Sequence, residues 1–317
     1  MKKIILIFIF LVSIVMMGNT QPKSSYGLYT DRDVYVSGET LLAKIYLPEG
    51  TPSRIVCLDL MNQFGTRITG ASLVISNNEA EGYLQLPDSL SSGTYLIRTY
   101  QKHNAGKLKT MREIWISNRF DGLEKTSQMK RLVNAASLQE ESTSQIAITN
   151  IKPDYKTNSK IEAGVKIDEA LLKQLDGNLL VTVAQIDDSF SPSVFSVQDE
   201  KAPEGIIERK GIIISGTVTD KKTAQPAADI TVYLTIPDSL PGFQYYKTKK
   251  DGRFHFLLDK YYGSVQAVIQ CFGNTALQRL SIKLDELYAE SGTLPEFRVQ
   301  ALPEEFKNNI DYIGKRN

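Results

Sequence analysis

From Tyr26 onward, apolar and polar residues alternate in short runs broken by turn clusters, roughly every 8 to 12 residues. This period-2 grammar predicts half-buried strands, with clear examples at Thr40–Leu47, Ile55–Met61, Gly82–Leu86, Thr94–Tyr100 and Met111–Ile116. Pro48-Glu49-Gly50, Ser76-Asn77-Asn78 and Ser91-Ser92-Gly93 punctuate them as turns. Long runs at period 3.6 are missing, and so is a Gly-rich strand-to-helix turn, which argues against an α/β nucleotide-binding fold.

The pattern breaks over residues 121–144, where Lys, Gln, Glu, Ser, Asn and Ala replace β-branched residues; this reads as a linker with a helical turn. Strand patterning resumes at Gln145–Ile151, Lys160–Ile167 and Asn178–Ile186, which defines a second β unit over 145–195. Within it, Asp168 to Gly177 reads as a short helix with Asp168 as N-cap. A loop-like stretch from Asp187 to Lys210 precedes the last unit, 210–286. There Ile212–Thr219, Ile230–Ile236, Gln244–Thr248, Arg253–Leu257 and Val265–Phe272 read as strands. Ile230, Val232, Leu234 and Ile236 fall on the inward phase, Thr231, Tyr233 and Thr235 on the outward one. Lys250-Asp251-Gly252 is a hairpin signal, because Asp-Gly supplies positive φ angles. Residues 287–317 read as a polar tail.

The N-terminus changes the compartment. Lys2 and Lys3 precede an unbroken apolar run from Ile4 to Met17, and small or polar residues follow, so residues 1–20 read as a secretory signal peptide. The run is short for a membrane span, which leaves an uncleaved anchor as the weaker alternative. No cysteine near the expected cleavage region could take a lipid. Loss of Lys2 and Lys3 with the leader turns the net charge from +1 to −1 (37 basic residues less 2, against 36 acidic). Such a balance offers no electrostatic footprint for nucleic acid or anionic lipid.

Chemistry is sparse. Cys57 and Cys271 lie in different predicted units, and Cys271 shares its phase with Val265, Ala267 and Ile269; buried free thiols are the first reading, a long-range disulfide the second. His103 sits in a hairpin loop, Lys102-His103-Asn104-Ala105-Gly106, and His255 alternates with Phe254 and Phe256 and so points to solvent, with no metal-ligand spacing around either. Ser127-Gln128-Met129-Lys130 matches S-x-x-K but lies in the linker without companion motifs. Asp31, Asp33, Asp187 and Asp188 carry oxygen ligands of the kind calcium takes, in a spacing that matches no full calcium loop. No residue is assigned a catalytic, metal or cofactor role, and no cofactor is expected. The candidate interaction surface is Tyr245, Tyr246, Tyr261 and Tyr262, each pair placing one ring outward.

Two stretches resemble known families. Leu28-Tyr29-Thr30-Asp31-Arg32-Asp33-Val34-Tyr35-Val36-Ser37-Gly38-Glu39-Thr40, with Gly93-Thr94-Tyr95-Leu96-Ile97-Arg98, resembles the macroglobulin-type MG2 domain, an immunoglobulin-like sandwich, over residues 26–120. Ile214-Ser215-Gly216-Thr217-Val218-Thr219-Asp220, then Gln225-Pro226-Ala227-Ala228-Asp229-Ile230-Thr231-Val232, then Thr248-Lys249-Lys250-Asp251-Gly252-Arg253-Phe254-His255-Phe256, resembles the carboxypeptidase-regulatory-like domain, a transthyretin-like sandwich without peptidase residues. Leu180 to Asp188 resembles a further macroglobulin unit more weakly. This order of units resembles the N-terminal part of outer-membrane proteins of Bacteroidetes that carry a TonB-dependent-receptor plug.

These readings combine into an expectation: an all-β protein of tandem immunoglobulin-like and transthyretin-like sandwiches joined by linkers after a signal peptide, acting as a non-enzymatic binding or scaffold module. The resemblance implies the periplasm or outer membrane, with another outer-membrane or periplasmic protein, or a glycan, as partner, and no transmembrane span once the leader is removed. A truncated relative of a TonB-dependent uptake receptor is one alternative. A macroglobulin-like protease inhibitor is another, but Cys57-Leu58-Asp59 and Cys271-Phe272-Gly273 do not supply the Cys-Gly-Glu-Gln thioester.

Overall fold

The structure is a computed structural model that describes residues 26–104, 108–121, 128–132, 146–152, 156, 159–175, 181, 194–198, 206–237, 241–260, 265–272, 279–289 and 297–301. The leader over 1–20, Ser127, Asp187, Asp188, Tyr261 and Tyr262 lie outside the described residues, as does all of Leu180–Asp188 but Val181.

The chain is all-β, built as tandem sandwiches. The first uses β1 (Gly27–Thr30), β2 (Val34–Val36), β3 (Thr40–Tyr46), β4 (Ile55–Met61), β5 (Arg67–Val74), β6 (Glu79–Gln85), β7 (Gly93–Tyr100) and β8 (Leu108–Ser117). One sheet runs β1-β3-β6; β8-β7-β4-β5 forms most of the other, with β2 parallel on the end of β8. Alternate side chains of the two sheets meet in one core that includes Leu28, Leu41, Ile45, Val56, Leu58, Leu60, Ile97, Ile114 and Ile116. Truncating one such fully buried leucine to alanine typically costs about 2–5 kcal/mol.

Three further strands surround this unit in ways local patterning does not announce. β9 (Gln128–Leu132) falls in the stretch read as a linker with a helical turn, and β19 (Phe297–Ala301) in the stretch read as a tail. The two pair with each other in antiparallel register, and β9 lies against β7. β12 (Val194–Gln198), within the stretch read as a loop, pairs antiparallel with β8 and extends the large sheet. Each is five residues long and finds its partner more than 75 positions away, so its pattern is too short to be read alone.

Between them, β10 (Ile146–Thr149) and β11 (Gly164–Ile167) form a two-stranded ribbon. Helix α1 (Glu169–Leu175) follows, and its first turn is capped as expected: Asp168 Oδ1 accepts the Ala170 N–H at 2.8 Å.

The second sandwich comprises β13 (Ile212–Asp220), β14 (Thr231–Ile236), β15 (Gly242–Lys247), β16 (Arg253–Leu258), β17 (Val268–Phe272) and β18 (Leu280–Leu284). Sheets β16-β13-β18 and β15-β14-β17 close on Val218, Val232, Leu234, Ile236, Phe254 and Phe256. The inward phase of β14 is the one its alternation predicts.

The Asp251-Gly252 turn forms, with Gly252 at φ +70° and its N–H bonded to the Lys249 carbonyl at 2.9 Å. Its flanking strands are not a hairpin, however: β15 and β16 belong to opposite sheets. The turn is drawn onto β13, where the Val218 N–H donates to the Gly252 carbonyl at 2.9 Å. Gln244 then closes the gap, its amide donating to the Leu257 carbonyl at 2.7 Å and accepting the Leu257 N–H at 3.3 Å. A side-chain amide thereby occupies backbone groups of the β16 edge.

Candidate functional site

The opening motif of the first sandwich is spent on its own architecture. The Tyr35 hydroxyl donates to Asp31 Oδ1 at 2.7 Å, and the Leu42 N–H donates to the same oxygen at 2.9 Å. Arg32 spans Asp31 at 3.1 Å and Glu39 at 3.2 Å, with its guanidinium 4.8 Å from the Tyr35 ring centre. Glu39 in turn accepts the Val36 N–H at 2.9 Å. Gly38 sits at φ +87°, and a Cβ there would strike the Asp88 carboxylate. Burial, reinforced by the Asp31 carboxylate, pushes the Tyr35 phenol far above its ordinary range. Asp33 accepts Arg112 Nη2 at 2.8 Å. Asp31 and Asp33 thus hold side chains of this protein.

A second cluster lies on the far face of the large sheet, away from the core. Cys57, Asp59 and Met61 of β4 stand opposite Tyr100, Arg98 and Leu96 of β7, and all six are buried. Arg98 Nη2 donates to Asp59 Oδ2 at 2.6 Å with both side chains at 0% exposure. Arg67 donates to the other carboxylate oxygen at 2.9 Å. Gly70 faces Asp59 across the ladder, and a Cβ there would collide with the Asp59 carboxylate and the Arg67 guanidinium.

What covers this face comes from the other end of the chain. Arg98 Nη2 also donates to the Ala289 carbonyl at 3.1 Å, and the Ala289 N–H donates to the Tyr100 hydroxyl at 2.8 Å. The Arg67 guanidinium stacks 3.6 Å from the centre of the Tyr288 ring. The segment leaving the second sandwich is therefore clamped on the first.

The segment entering it is held as well. Glu208, with its side chain fully buried, accepts Lys102 Nζ at 2.9 Å and the Ile213 N–H at 2.9 Å. Its backbone carbonyl accepts the Arg54 N–H at 2.8 Å and the Ser53 hydroxyl at 3.3 Å. Burial, with the Asp59 and Glu208 carboxylates adding to it, pushes the Cys57 thiol up to about 12 and leaves it unreactive at neutral pH.

Of the expected interaction surface, Tyr245 stands outward on β15 at 71% exposure. Tyr246 turns the other way and packs on the second core, its ring 4.7 Å from that of His255. Tyr245 instead joins Tyr233, Phe243 and Phe272 on the outer face of the β15-β14-β17 sheet. Cys57 and Cys271 are free thiols. His103 lies in a 3-10 turn, Lys102–Asn104. Among the described residues, no three His, Cys, Asp or Glu side chains are grouped to share a metal ion, and no helix is long and apolar enough to cross a membrane.

Sequence reading overlooked the junction residues and, of the four outer-face aromatics, Phe243 and Phe272; Tyr233 was read as outward but not as part of an interaction surface. A signal for the junction exists in hindsight. Ile55–Met61 and Thr94–Tyr100 carry Asp59 and Arg98 inside otherwise apolar or aromatic runs without clean alternation, the mark of strands buried on both faces.

No protein-family model matches the chain, and no curated protein does. Among solved structures, trypsin-activated α2-macroglobulin of Escherichia coli aligns over 88% of this chain and 15% of its own, at 13% identity and a TM-score of 0.25. Methylamine-reacted α2-macroglobulin of Salmonella aligns over 82% and 23%, at 12% identity and 0.23. A tetra-tandem repeat from the extending region of a large adhesion protein aligns over 88% and 74%, at 10% identity and 0.19. The chain thus spans less than a quarter of the length of either macroglobulin. Superpositions this slight add no argument to the strand pairing itself.

Proposed function

We propose that this chain is an exported, non-enzymatic scaffold of the periplasm or outer membrane, with a macroglobulin-type MG2 unit and a carboxypeptidase-regulatory-like unit held as one body. The observation that carries this reading is the double junction. Arg98, Arg67 and Tyr100 grip residues 288–289, and Lys102, Ser53 and Arg54 grip Glu208, so the second sandwich is tied to the first both where it begins and where it ends. Sandwiches joined by free linkers move independently by default. Burying ion pairs at the joint costs desolvation and gives a defined registry in return. A spacer that must hold a binding face at a set distance has use for that registry. The ionisable clusters described above are all engaged internally, which fits a structural role better than a catalytic one.

The test is affinity capture from an outer-membrane extract, with the chain lacking residues 1–20 as bait. A specific protein or glycan recovered by the wild type, and lost when the junction is broken by Arg98→Ala with Lys102→Ala, supports the proposal. Recovery of nothing specific, or turnover of a candidate substrate by the purified chain, overturns it.

A further inference from the structure

We propose that the outer face of the β15-β14-β17 sheet is a binding platform for a neutral oligosaccharide, an inference that rests on the reading of this chain as a binding module and names its ligand class. Phe243, Tyr233 and Phe272 form a diagonal stripe across the three strands, with ring centres 5.2 Å and 5.3 Å apart. Tyr245 stands beside Tyr233 in the ladder. Phe243 and Phe272 are 63% and 67% exposed, although phenylalanine has no polar atom that gains from water. Four aromatic residues gathered on one solvent face mark a recognition surface rather than scattered apolar exposure.

The rim decides among occupants. Thr231, Thr235, Gln270 and Lys247 share this face with the rings, and Lys247 Nζ is paired with Asp229 Oδ1 at 3.0 Å. Among the described residues of these three strands the face offers hydroxyls, an amide and two phenols around its rings, with Val268 also exposed at 40%. Lys247 is its one cation among those residues, held in an exposed ion pair. Nucleic acid is poorly served, since stacked bases need a basic groove to follow their phosphates. An anionic lipid surface needs a cluster of basic residues.

The face by itself is small for a stable protein partner. The face spans roughly 10 Å across its strands and about 15 Å along them. Such an interface covers about 800 Å² on each side.

A chain of neutral sugars meets both halves of the surface. The ring planes are inclined at 35° and 61° along the stripe. The ring faces left open to solvent therefore attract the polarised C–H groups of a pyranose in a bent rather than flat run, and the equatorial hydroxyls reach sideways to threonine, glutamine and tyrosine. The stripe runs over two ring-to-ring steps, so it suits a short run of linked sugars better than a single ring.

The experiment is calorimetric titration of the full chain with a panel of neutral hexasaccharides from the cello-, xylo-, malto- and chito- series. At least one series is expected to bind. The Phe243→Ala, Phe272→Ala double variant, which removes exposed rings only, is expected to weaken it about tenfold or more while its thermal melt matches the wild type. Added NaCl should leave the affinity nearly unchanged. Absence of binding across the panel, binding unaffected by the double variant, or affinity that collapses with salt would each overturn the inference. Should no sugar bind while the extract yields a protein partner, the oligosaccharide inference falls and the scaffold reading stands. Sugar binding that the double variant abolishes but Arg98→Ala with Lys102→Ala leaves intact would uphold the platform and count against the rigid joint of the scaffold reading.

Discussion

Arg98 and Asp59 face each other across the β4–β7 ladder and form a 2.6 Å ion pair with no solvent exposure on either side chain. The same guanidinium nitrogen reaches the Ala289 carbonyl at 3.1 Å, so one buried cation serves both the sheet and the joint. Asp59→Ala is expected to strand Arg98 in a dry site and cost about 3–5 kcal/mol. Replacing Asp59 and Arg98 by leucine and methionine should cost less, because the charge then left without its carboxylate is Arg67, which is partly exposed and can be hydrated. Urea unfolding of the two variants measures the difference; equal losses would contradict the buried-pair account.

Tyr100 holds the joint with a neutral contact, and its loss has a local readout. Tyr100→Phe removes the acceptor for the Ala289 N–H while keeping the ring. Amide exchange at Ala289 is expected to quicken by about tenfold, since a hydrogen bond of this kind is worth about 1 kcal/mol or slightly more. Exchange elsewhere in β4 and β7 should not change. Uniform acceleration across the sheet would point to general destabilisation instead.

Lys102 and Glu208 secure the entry to the second sandwich. Lys102→Met leaves the Glu208 carboxylate buried without its cation and loosens that entry. Differential scanning calorimetry is expected to show the wild-type transition broaden or split as the sandwiches begin to melt separately. One sharp transition at an unchanged temperature would mean that this contact does not couple them.

The buried thiol and phenols make the protein sensitive to alkali. The Cys57 thiol is raised from 9.0 to about 12, and burial pushes Tyr35 and Tyr100 upward from 10.0 as well. Groups that hold their protons more tightly when folded contribute stability fully below the unfolded pKa and lose it as pH climbs toward the folded value. For Cys57 that window runs from about 9 to about 12, with a slope of up to ~1.4 kcal/mol per pH unit. Cys57→Ala should flatten the early part of the fall. Stability that rises with pH across this window would falsify the assignment.

Gly38 is a conformational requirement. Gly38→Ala places a Cβ at φ +87° against Asp88 and is expected to cost more than about 1 kcal/mol. A matched melt for the variant would show that the turn relaxes freely.

Strand alternation made the fold class legible, along with most elements of both sandwiches: β3, β4, β7, β13 and β14 stand within a residue or so of where the pattern puts them. The Asp-Gly turn was legible as a turn but not as a crossing between sheets, since the choice depends on the Val218 backbone that receives it. One outward ring was legible in the Tyr245-Tyr246 pair, and the structure shows that it is Tyr245. Its companions were not gathered, because Phe243, Tyr233 and Phe272 come from three strands brought together by pairing.

Residue order alone determined which side chains each strand turns inward, because alternation along a strand is a local property of the pleat. It also determined the left-handed turn at Gly38 and the cap at Asp168, which depend on a few neighbouring residues. Tertiary structure alone decided the partners of β9, β12 and β19 and the occupant of the second face of the large sheet. Those outcomes depend on which distant surfaces can satisfy Arg98, Tyr100 and Glu208 together; the local sequence signals that the second face of β4 and β7 is covered, but does not name the segment that folding brings from nearly two hundred positions away.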